Sequence, residues 1–155
     1  MGIELERKFM VDDLQAVAQL DDGVRLRQGY LAEDNGVELR VRITDVVAVI
    51  TVKAGIGLSR IEVECAITEA EAMSLWPFTQ GRRIEKVRHR VAVGGRVAEV
   101  DLYDGALGGL RIVEVEFESE PAAHEFEVPT WFGRELTGQS EWSNAALARD
   151  GRPDR

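Results

Sequence analysis

The sequence has little of several features that mark common classes of protein. Its 155 residues include a single cysteine, Cys65, which excludes an internal disulfide framework and favours a reducing compartment. No apolar run approaches the roughly 20 residues that span a bilayer. A secretory signal is not expected either, because the N-terminus is charged and reads MGIELERKFMV. We therefore predict a cytoplasmic protein without a membrane partner.

Basic residues are also in the minority, with 19 Lys and Arg against 28 Asp and Glu. The resulting net charge of −9 argues against a duplex nucleic-acid binder, which needs a dominant basic face. It does not exclude a small polyanionic ligand, since basic residues can gather around one pocket. We predict a monomer or homodimer whose partner is a small molecule.

The composition and length predict one folded unit. The chain is 45% hydrophobic and 30% charged, so it can build a core and is not a disordered tract. It has no internal repeat and no linker that would divide it. We expect a single domain over residues 1–149, followed by a frayed tail over 150–155.

Alternation with period two predicts strands along most of the chain. The predicted strands cover 2–11, 24–31, 37–44, 46–53, 59–67, 83–93, 96–103 and 110–118. Turn signals at Asn35-Gly36 and Gly94-Gly95 predict hairpins. Short helices are predicted over 12–20, from Thr68 to about 76, within 119–128, and from Ser140 or Ser143 to Arg149. This pattern indicates an α+β domain with an antiparallel sheet that curls or closes.

Charged side chains recur at alternate positions, so each strand carries its charges on one face. A half-buried sheet that shows polar residues to water would give the same pattern on any one strand. These faces, however, carry few Thr residues, which exposed sheets favour. If the sheet closes with them inward, basic and acidic walls oppose each other, and a polyphosphate with divalent cations fits both. The basic wall would hold Arg40, Arg42, Lys53, Lys86, Arg88 and Arg90, and the acidic wall Glu4, Glu6, Glu62, Glu64, Glu99, Asp101, Glu114 and Glu116.

The order of these motifs resembles the CYTH superfamily, the triphosphate tunnel metalloenzymes. An ExExK motif, Glu4-Leu5-Glu6-Arg7-Lys8, stands at the N-terminus, and matches to the family continue over about residues 2–149. One departure follows the run Gly133-Arg134-Glu135-Leu136-Thr137, where Gly138-Gln139 replaces the Asp of many relatives. The resemblance implies a closed eight-stranded antiparallel β-barrel, with helices packed outside and a charged tunnel through it.

Roles for individual residues follow from the same resemblance, position by position. It implies that Glu62 and Glu64 hold a second metal or orient the attacking water, and that Tyr30 lies near the reacting phosphate. With Lys8, these form the predicted catalytic set. The predicted phosphate-binding residues are Lys8, Arg40, Arg42, Lys53, Arg60, Lys86, Arg88 and Arg90. The predicted ligands of Mg²⁺ or Mn²⁺ are Glu4, Glu6, Glu114 and Glu116. Glu99 and Asp101 receive no role.

The predicted activity is metal-dependent hydrolysis of a triphosphate, with inorganic tripolyphosphate as the leading substrate. Thiamine and nucleoside triphosphates stay open as alternatives. A class IV adenylate cyclase would use the same groups with an added adenine-binding patch, which the sequence does not reveal. A polyphosphate-binding module without catalysis is the non-enzyme alternative. The many carboxylates argue against it, since anion binding alone has no use for them.

Overall fold

The computed structural model describes residues 2–16, 20–56 and 58–153. The strands are β1 Gly2–Val11, β2 Val24–Asp34, β3 Val37–Ile43, β4 Ala48–Ala54, β5 Ser59–Ile67, β6 Arg83–Val93, β7 Arg96–Tyr103, β8 Arg111–Glu116 and β9 Phe132–Glu135. The α-helices are α1 Glu69–Leu75, α2 Glu120–Glu125 and α3 Asn144–Asp150. Single 3₁₀ turns cover Leu14–Ala16, Trp76–Thr79, Gly105–Leu107 and Ser140–Trp142.

Strands β1 to β8 close into an antiparallel barrel, which confirms the predicted fold. Neighbouring strands follow the order β5-β4-β3-β2-β6-β7-β8-β1, and β1 then pairs back with β5. This last seam is short, because its register runs only from Gly2↔Glu62 to Leu5↔Ser59. Beyond it, the same edge of β1 pairs with β9. The sequence did not predict β9, whose four residues are too few for period two to show.

Local sequence explains the turns and helix starts. Asn35 and Gly36 have φ of 49° and 76°, and Gly94 and Gly95 have φ of 53° and 75°, the left-handed conformations that two-residue hairpins need. Thr68 begins α1 with the predicted capping box. Ser119 and Ser143 cap α2 and α3.

Two predicted segments differ from the structure or extend beyond its description. Within 12–20, the structure has a 3₁₀ turn over Leu14–Ala16 rather than a longer helix, and residues 17–19 lie outside the described residues. The frayed tail over 150–155 stays a prediction, with residues 154 and 155 also outside the description. In the part of the chain that is described, no helix has the length and hydropathy to cross a membrane.

The apolar core lies mostly between the outer face of the barrel and its covering elements. Phe9, Val100 and Val113 belong to one cluster with α2 and β9, and Val41 packs with Trp76 under α1. A further cluster closes one end of the barrel, where the tunnel face of three strands turns apolar. It consists of Ile84, Tyr103, Leu107, Leu110, Ile112, Leu136, Trp142 and Leu147. The charged part of the interior is thereby confined to the rest of its length.

A charged tunnel as candidate active site

Strand alternation turns the charged faces inward, where they surround a cavity of about 620 Å³, here called the charged cavity. Its walls come from both the acidic and the basic strands. The charged and amide side chains that line it are Glu4, Glu6, Gln28, Arg40, Arg42, Lys53, Glu62, Glu64, Arg88, Arg90, Arg96, Glu99, Glu114, Glu116, Glu118 and Asn144. The two walls inferred from the sequence therefore do face each other.

A second cavity of about 470 Å³, here called the C-terminal cavity, is lined by residues after β9 and by the β2–β3 and β4–β5 connections. Glu6 lines both cavities, Lys8 lines only the C-terminal one, and Glu114 only the charged one. Lys8 Nζ lies 3.0 Å from Glu114 Oε1. This ion pair and Glu6 thus stand where the two cavities meet.

Most basic groups of the charged cavity are already paired with acids. Lys53 Nζ lies 2.8 Å from Glu4 Oε2 and 3.2 Å from Glu62 Oε2. Arg42 Nη2 lies 3.0 Å from Glu64 Oε1. These pairs hold the long side chains in place before any ligand arrives, and the carboxylates neutralise part of their positive charge.

Asp101, to which the sequence assigned no role, is the centre of the most buried ion cluster. It is fully buried and accepts Lys86 Nζ at 2.5 Å and Arg88 Nε at 2.7 Å. Although burial alone would raise it, the charges of Lys86 and Arg88 lower the pKa of Asp101. Burial lowers the pKa of Lys86 to about 8, against the attraction of Asp101. Arg88 also contacts Glu99, whose Oε2 lies 2.5 Å from Nη1.

Two acids of the tunnel lack a basic partner among the described residues. Glu6 forms no ion pair, and burial together with the charge of Glu114 raises its pKa to about 8. Burial, followed by repulsion from Glu4 and other acids, also raises the pKa of Glu116. The pKa of Glu114 shifts in the opposite direction: burial alone would raise it, but the charges of Lys8 and Arg88 lower it. The acidic wall therefore contains carboxyls whose ionisation the protein does not fully compensate.

Unsatisfied polar atoms on the opposite wall indicate where an anion fits. The guanidinium of Arg40 is buried, and its Nε lacks a hydrogen-bond partner within the described part of the chain. The cross-strand neighbour of Arg40 is Tyr30, whose buried hydroxyl forms no well-aligned hydrogen bond with the described residues; burial raises its pKa, and the charge of Arg40 opposes that rise. Gln28 Nε2 is a third such atom. Buried donors without acceptors are costly, which favours a ligand that supplies oxygen atoms.

The structure brings most of the predicted site residues together and separates a few. The charged cavity collects Glu4, Glu6, Arg40, Arg42, Lys53, Glu62, Glu64, Arg88, Arg90, Glu114 and Glu116. Lys8 and Arg60 line the C-terminal cavity, where Arg60 Nη2 lies 3.1 Å from Glu38 Oε1. Lys86 lines neither cavity, and Tyr30 lines a smaller one beside the β2–β3 turn. The roles themselves stay predictions.

Other residues at the charged cavity were absent from the predicted set. Gln28 shares its strand face with Tyr30, and that parity could have identified it. Arg96 and Glu118 form an ion pair that also lines the charged cavity; Glu118 continues the alternation of Glu114 and Glu116, whereas Arg96 has the opposite parity to Glu99 and was not indicated by it. Asn144 comes from α3 and accepts a 2.6 Å hydrogen bond from Tyr103, a placement that no strand pattern could have indicated.

A family model described as CYTH domain matches residues 2–142 of the chain. The chain belongs to the CYTH family. An inorganic triphosphatase of Nitrosomonas europaea is 43% identical over 94% of this chain and 96% of its own length. An inorganic triphosphatase of Acetivibrio thermocellus is 37% identical over 97% of this chain and 96% of its own length. A crystal structure of an inorganic triphosphatase, 39% identical, superposes with a TM-score of 0.73 over 97% of both chains.

Membership of the CYTH family implies a divalent metal ion, and the residues present fit one. The available donors are carboxylate oxygens, the ligands that hard divalent cations prefer, and in the described ranges Glu6 and Glu116 form no ion pair and have raised pKa values. No three His, Cys, Asp or Glu side chains in the described ranges form a ready-made metal cluster. This suits an ion that keeps several waters and binds through one or two carboxylates and a substrate phosphate.

Proposed function

We propose that this protein is an inorganic triphosphatase, which hydrolyses tripolyphosphate in the charged cavity with the help of Mg²⁺ or Mn²⁺. The observation that carries the proposal is a double imbalance within one cavity. Within the described residues, the buried Arg40 forms no ion pair and its Nε has no hydrogen-bond partner, and Glu6 likewise forms no ion pair. A triphosphate with a bound divalent cation supplies both missing charges. The relatives named inorganic triphosphatase, similar over nearly the full length, support the same substrate class.

In this proposal the basic wall binds and aligns the phosphate chain. Arg40 offers its guanidinium, whose Nε has no hydrogen-bond partner among the described residues, while Lys53 and Arg42 exchange their carboxylate partners for phosphate oxygens. Lys8 reaches the junction of the cavities beside Glu6. Phosphoryl transfer depends mainly on charge neutralisation and in-line alignment, and these fixed cations supply both.

The acidic wall provides the ligands for the ion and the orientation of water. Glu4, Glu6, Glu114 and Glu116 are the proposed ligands, of which one or two would bind the ion directly together with a substrate phosphate. The ion would favour the ionised form of Glu6, which burial and the charge of Glu114 disfavour. A divalent ion in such a position supplies a polarised phosphoryl oxygen and an activated water. Glu62 and Glu64 line the same cavity and remain proposed to orient the attacking water.

Phosphate release tests this proposal with tripolyphosphate, ATP and thiamine triphosphate, each with Mg²⁺, Mn²⁺ or a chelator. We expect metal-dependent release, fastest with tripolyphosphate, and a loss of about 10–100-fold or more in Glu6→Gln. Glu69→Gln, an exposed carboxylate on α1, is the matched control and should retain the wild-type rate.

The outcomes separate the alternatives. An absence of metal-dependent turnover with all three substrates would refute the hydrolase. Cyclic AMP formed from ATP without phosphate release would favour the adenylate cyclase instead. A cytoplasmic location, a monomeric or homodimeric state and the absence of nucleic-acid or membrane partners remain predictions from the sequence.

A further inference from the structure

Lys8 lies where the barrel seam opens, so its backbone cannot be held by β5. The pairing of β1 with β5 ends at Leu5↔Ser59, and the last contact is Glu6 N to Leu58 O at 3.3 Å. Two residues farther along, both backbone groups of Lys8 face this gap. A strand that loses its neighbour leaves unpaired amides and carbonyls, whose positions are poorly fixed unless another group takes over.

The segment after β9 takes over this function, partly through a side chain. Leu136 N donates to Lys8 O at 2.8 Å, as a paired strand would. The amide of Lys8, however, donates to the hydroxyl of Thr137, with 2.9 Å between Lys8 N and Thr137 Oγ1. The hydroxyl oxygen thus stands in for the carbonyl that a neighbouring strand would have offered.

The hydroxyl of Thr137 is itself oriented by a chain of hydrogen bonds. It donates to Glu135 Oε1 at 2.8 Å, which leaves its lone pairs for the Lys8 amide. Arg7 fixes the Glu135 carboxylate through two bonds, Nε to Oε1 at 2.8 Å and Nη2 to Oε2 at 2.9 Å. Because Arg7 precedes Lys8 on β1, the network closes a ring across the seam.

The tip of the lysine depends on the same C-terminal segment. Lys8 Nζ lies 3.0 Å from Glu114 Oε1 and 3.4 Å from the carbonyl oxygen of Trp142. The backbone and the ammonium group of Lys8 therefore both contact the segment between β9 and α3, and the ammonium group also pairs with Glu114 of β8. A small shift of the Lys8 backbone would move the ammonium group at the junction of the two cavities.

We propose that Thr137 is a positioning residue for Lys8. Its hydroxyl, oriented by Glu135 and Arg7, replaces a missing strand and fixes the place from which Lys8 reaches the substrate. The expected effect on turnover rests on the proposed triphosphatase function, whereas the hydrogen bond to the Lys8 amide does not.

Three variants separate this role from a general effect on folding. Thr137→Val keeps the shape and removes the hydroxyl, and Thr137→Ser keeps the hydroxyl. Thr68→Val breaks the capping box of α1, remote from the tunnel, and controls for lost stability. We expect Thr137→Val to lower kcat/KM for tripolyphosphate about tenfold, with Ser restoring it to within about threefold. Thr68→Val should retain wild-type kcat/KM.

Two readouts are specific to positioning. In a Lys8→Met background, adding Thr137→Val should cause no further loss, because the group being positioned is gone. By NMR, hydrogen exchange of the Lys8 amide should accelerate in Thr137→Val, but not in Thr137→Ser or Thr68→Val. A full tenfold further loss in the double variant, or unchanged exchange at Lys8, would overturn the proposal. If the wild type hydrolyses no triphosphate, the proposed function fails, and the exchange experiment alone decides the role of Thr137.

Discussion

The replacement Glu6→Gln should make the metal-free protein more stable while removing its activity. Glu6 forms no ion pair in the described part of the chain, and burial and Glu114 raise its pKa from 4.5 to about 8 against the attraction of Lys53 and Lys8. A carboxyl with a raised pKa binds its proton more tightly in the folded state than in the unfolded state. The stability of the wild type should therefore fall as pH rises from 4.5 to about 8. Glutamine carries no charge in either state and should escape this loss.

The size of the effect follows from the same interval. At about 1.4 kcal/mol for each pH unit, the shift from 4.5 to about 8 limits the loss of stability above pH 8 to the order of 5 kcal/mol. Because several charged neighbours titrate together with Glu6, we expect less than this limit, on the order of 2 kcal/mol. Urea unfolding in the presence of a chelator, at about pH 5 and about pH 9, measures the difference. The two proteins should unfold alike at the lower pH and differ at the higher one.

Glu114→Gln is the matched control, and its expected effect on the free energy of unfolding has the opposite sign. Lys8 and Arg88 lower the pKa of Glu114, so its contribution to stability is present at neutral pH and is lost as pH falls through the folded-state value. Glu114→Gln should therefore destabilise the protein at pH 7, where Glu6→Gln stabilises it. If Glu6→Gln is less stable than the wild type at about pH 9, or if its advantage does not grow with pH, the assignment of Glu6 as an uncompensated charge is wrong.

Two further predictions concern groups outside the charged cavity. Asp101→Asn should lower the free energy of unfolding by about 3–5 kcal/mol in urea, because it leaves Lys86 buried without its counter-charge; a loss below about 1 kcal/mol would contradict the buried cluster. Thr68→Ala should cost about 1 kcal/mol through the lost cap of α1 and leave tripolyphosphate turnover unchanged, as measured by phosphate release.

Strand parity predicted the fold and most of the candidate site, because period two assigns each side chain to a face. It could not predict depth along the barrel. Lys86 shares its face with Arg88. It lies opposite Tyr103 of β7, however, and two residues from Ile84, where the interior is apolar. Arg88, two residues along, lines the charged cavity. The difference depends on which elements close the barrel end, and these are distant in sequence.

Strand parity also made no prediction about the C-terminal segment. Thr137 and Asn144 lie outside the barrel strands, and their contacts depend on how the chain returns after β9 to the seam beside β1. The family resemblance indicated a departure nearby, at Gly138-Gln139, but no contact. A hydroxyl that replaces a strand carbonyl leaves no periodic signal, since it is a single side chain at a single position.

The two unpaired groups of the cavity make a last prediction, which concerns the order of binding. Neither Arg40 nor Glu6 forms an ion pair with the residues that the structure describes, so each ligand alone satisfies one wall and leaves the other less well compensated. Metal and triphosphate should therefore bind with positive coupling, and by linkage each should tighten the other by the same factor. Calorimetric titration with a non-hydrolysable imido analogue of triphosphate, with and without Mg²⁺, measures this factor. We expect at least about tenfold, reduced in both Arg40→Met and Glu6→Gln, because each variant removes one of the two imbalances. Equal affinity for the analogue with Mg²⁺ and with a chelator would show that the walls act independently, and the charge argument for a metal-dependent triphosphatase would then fail.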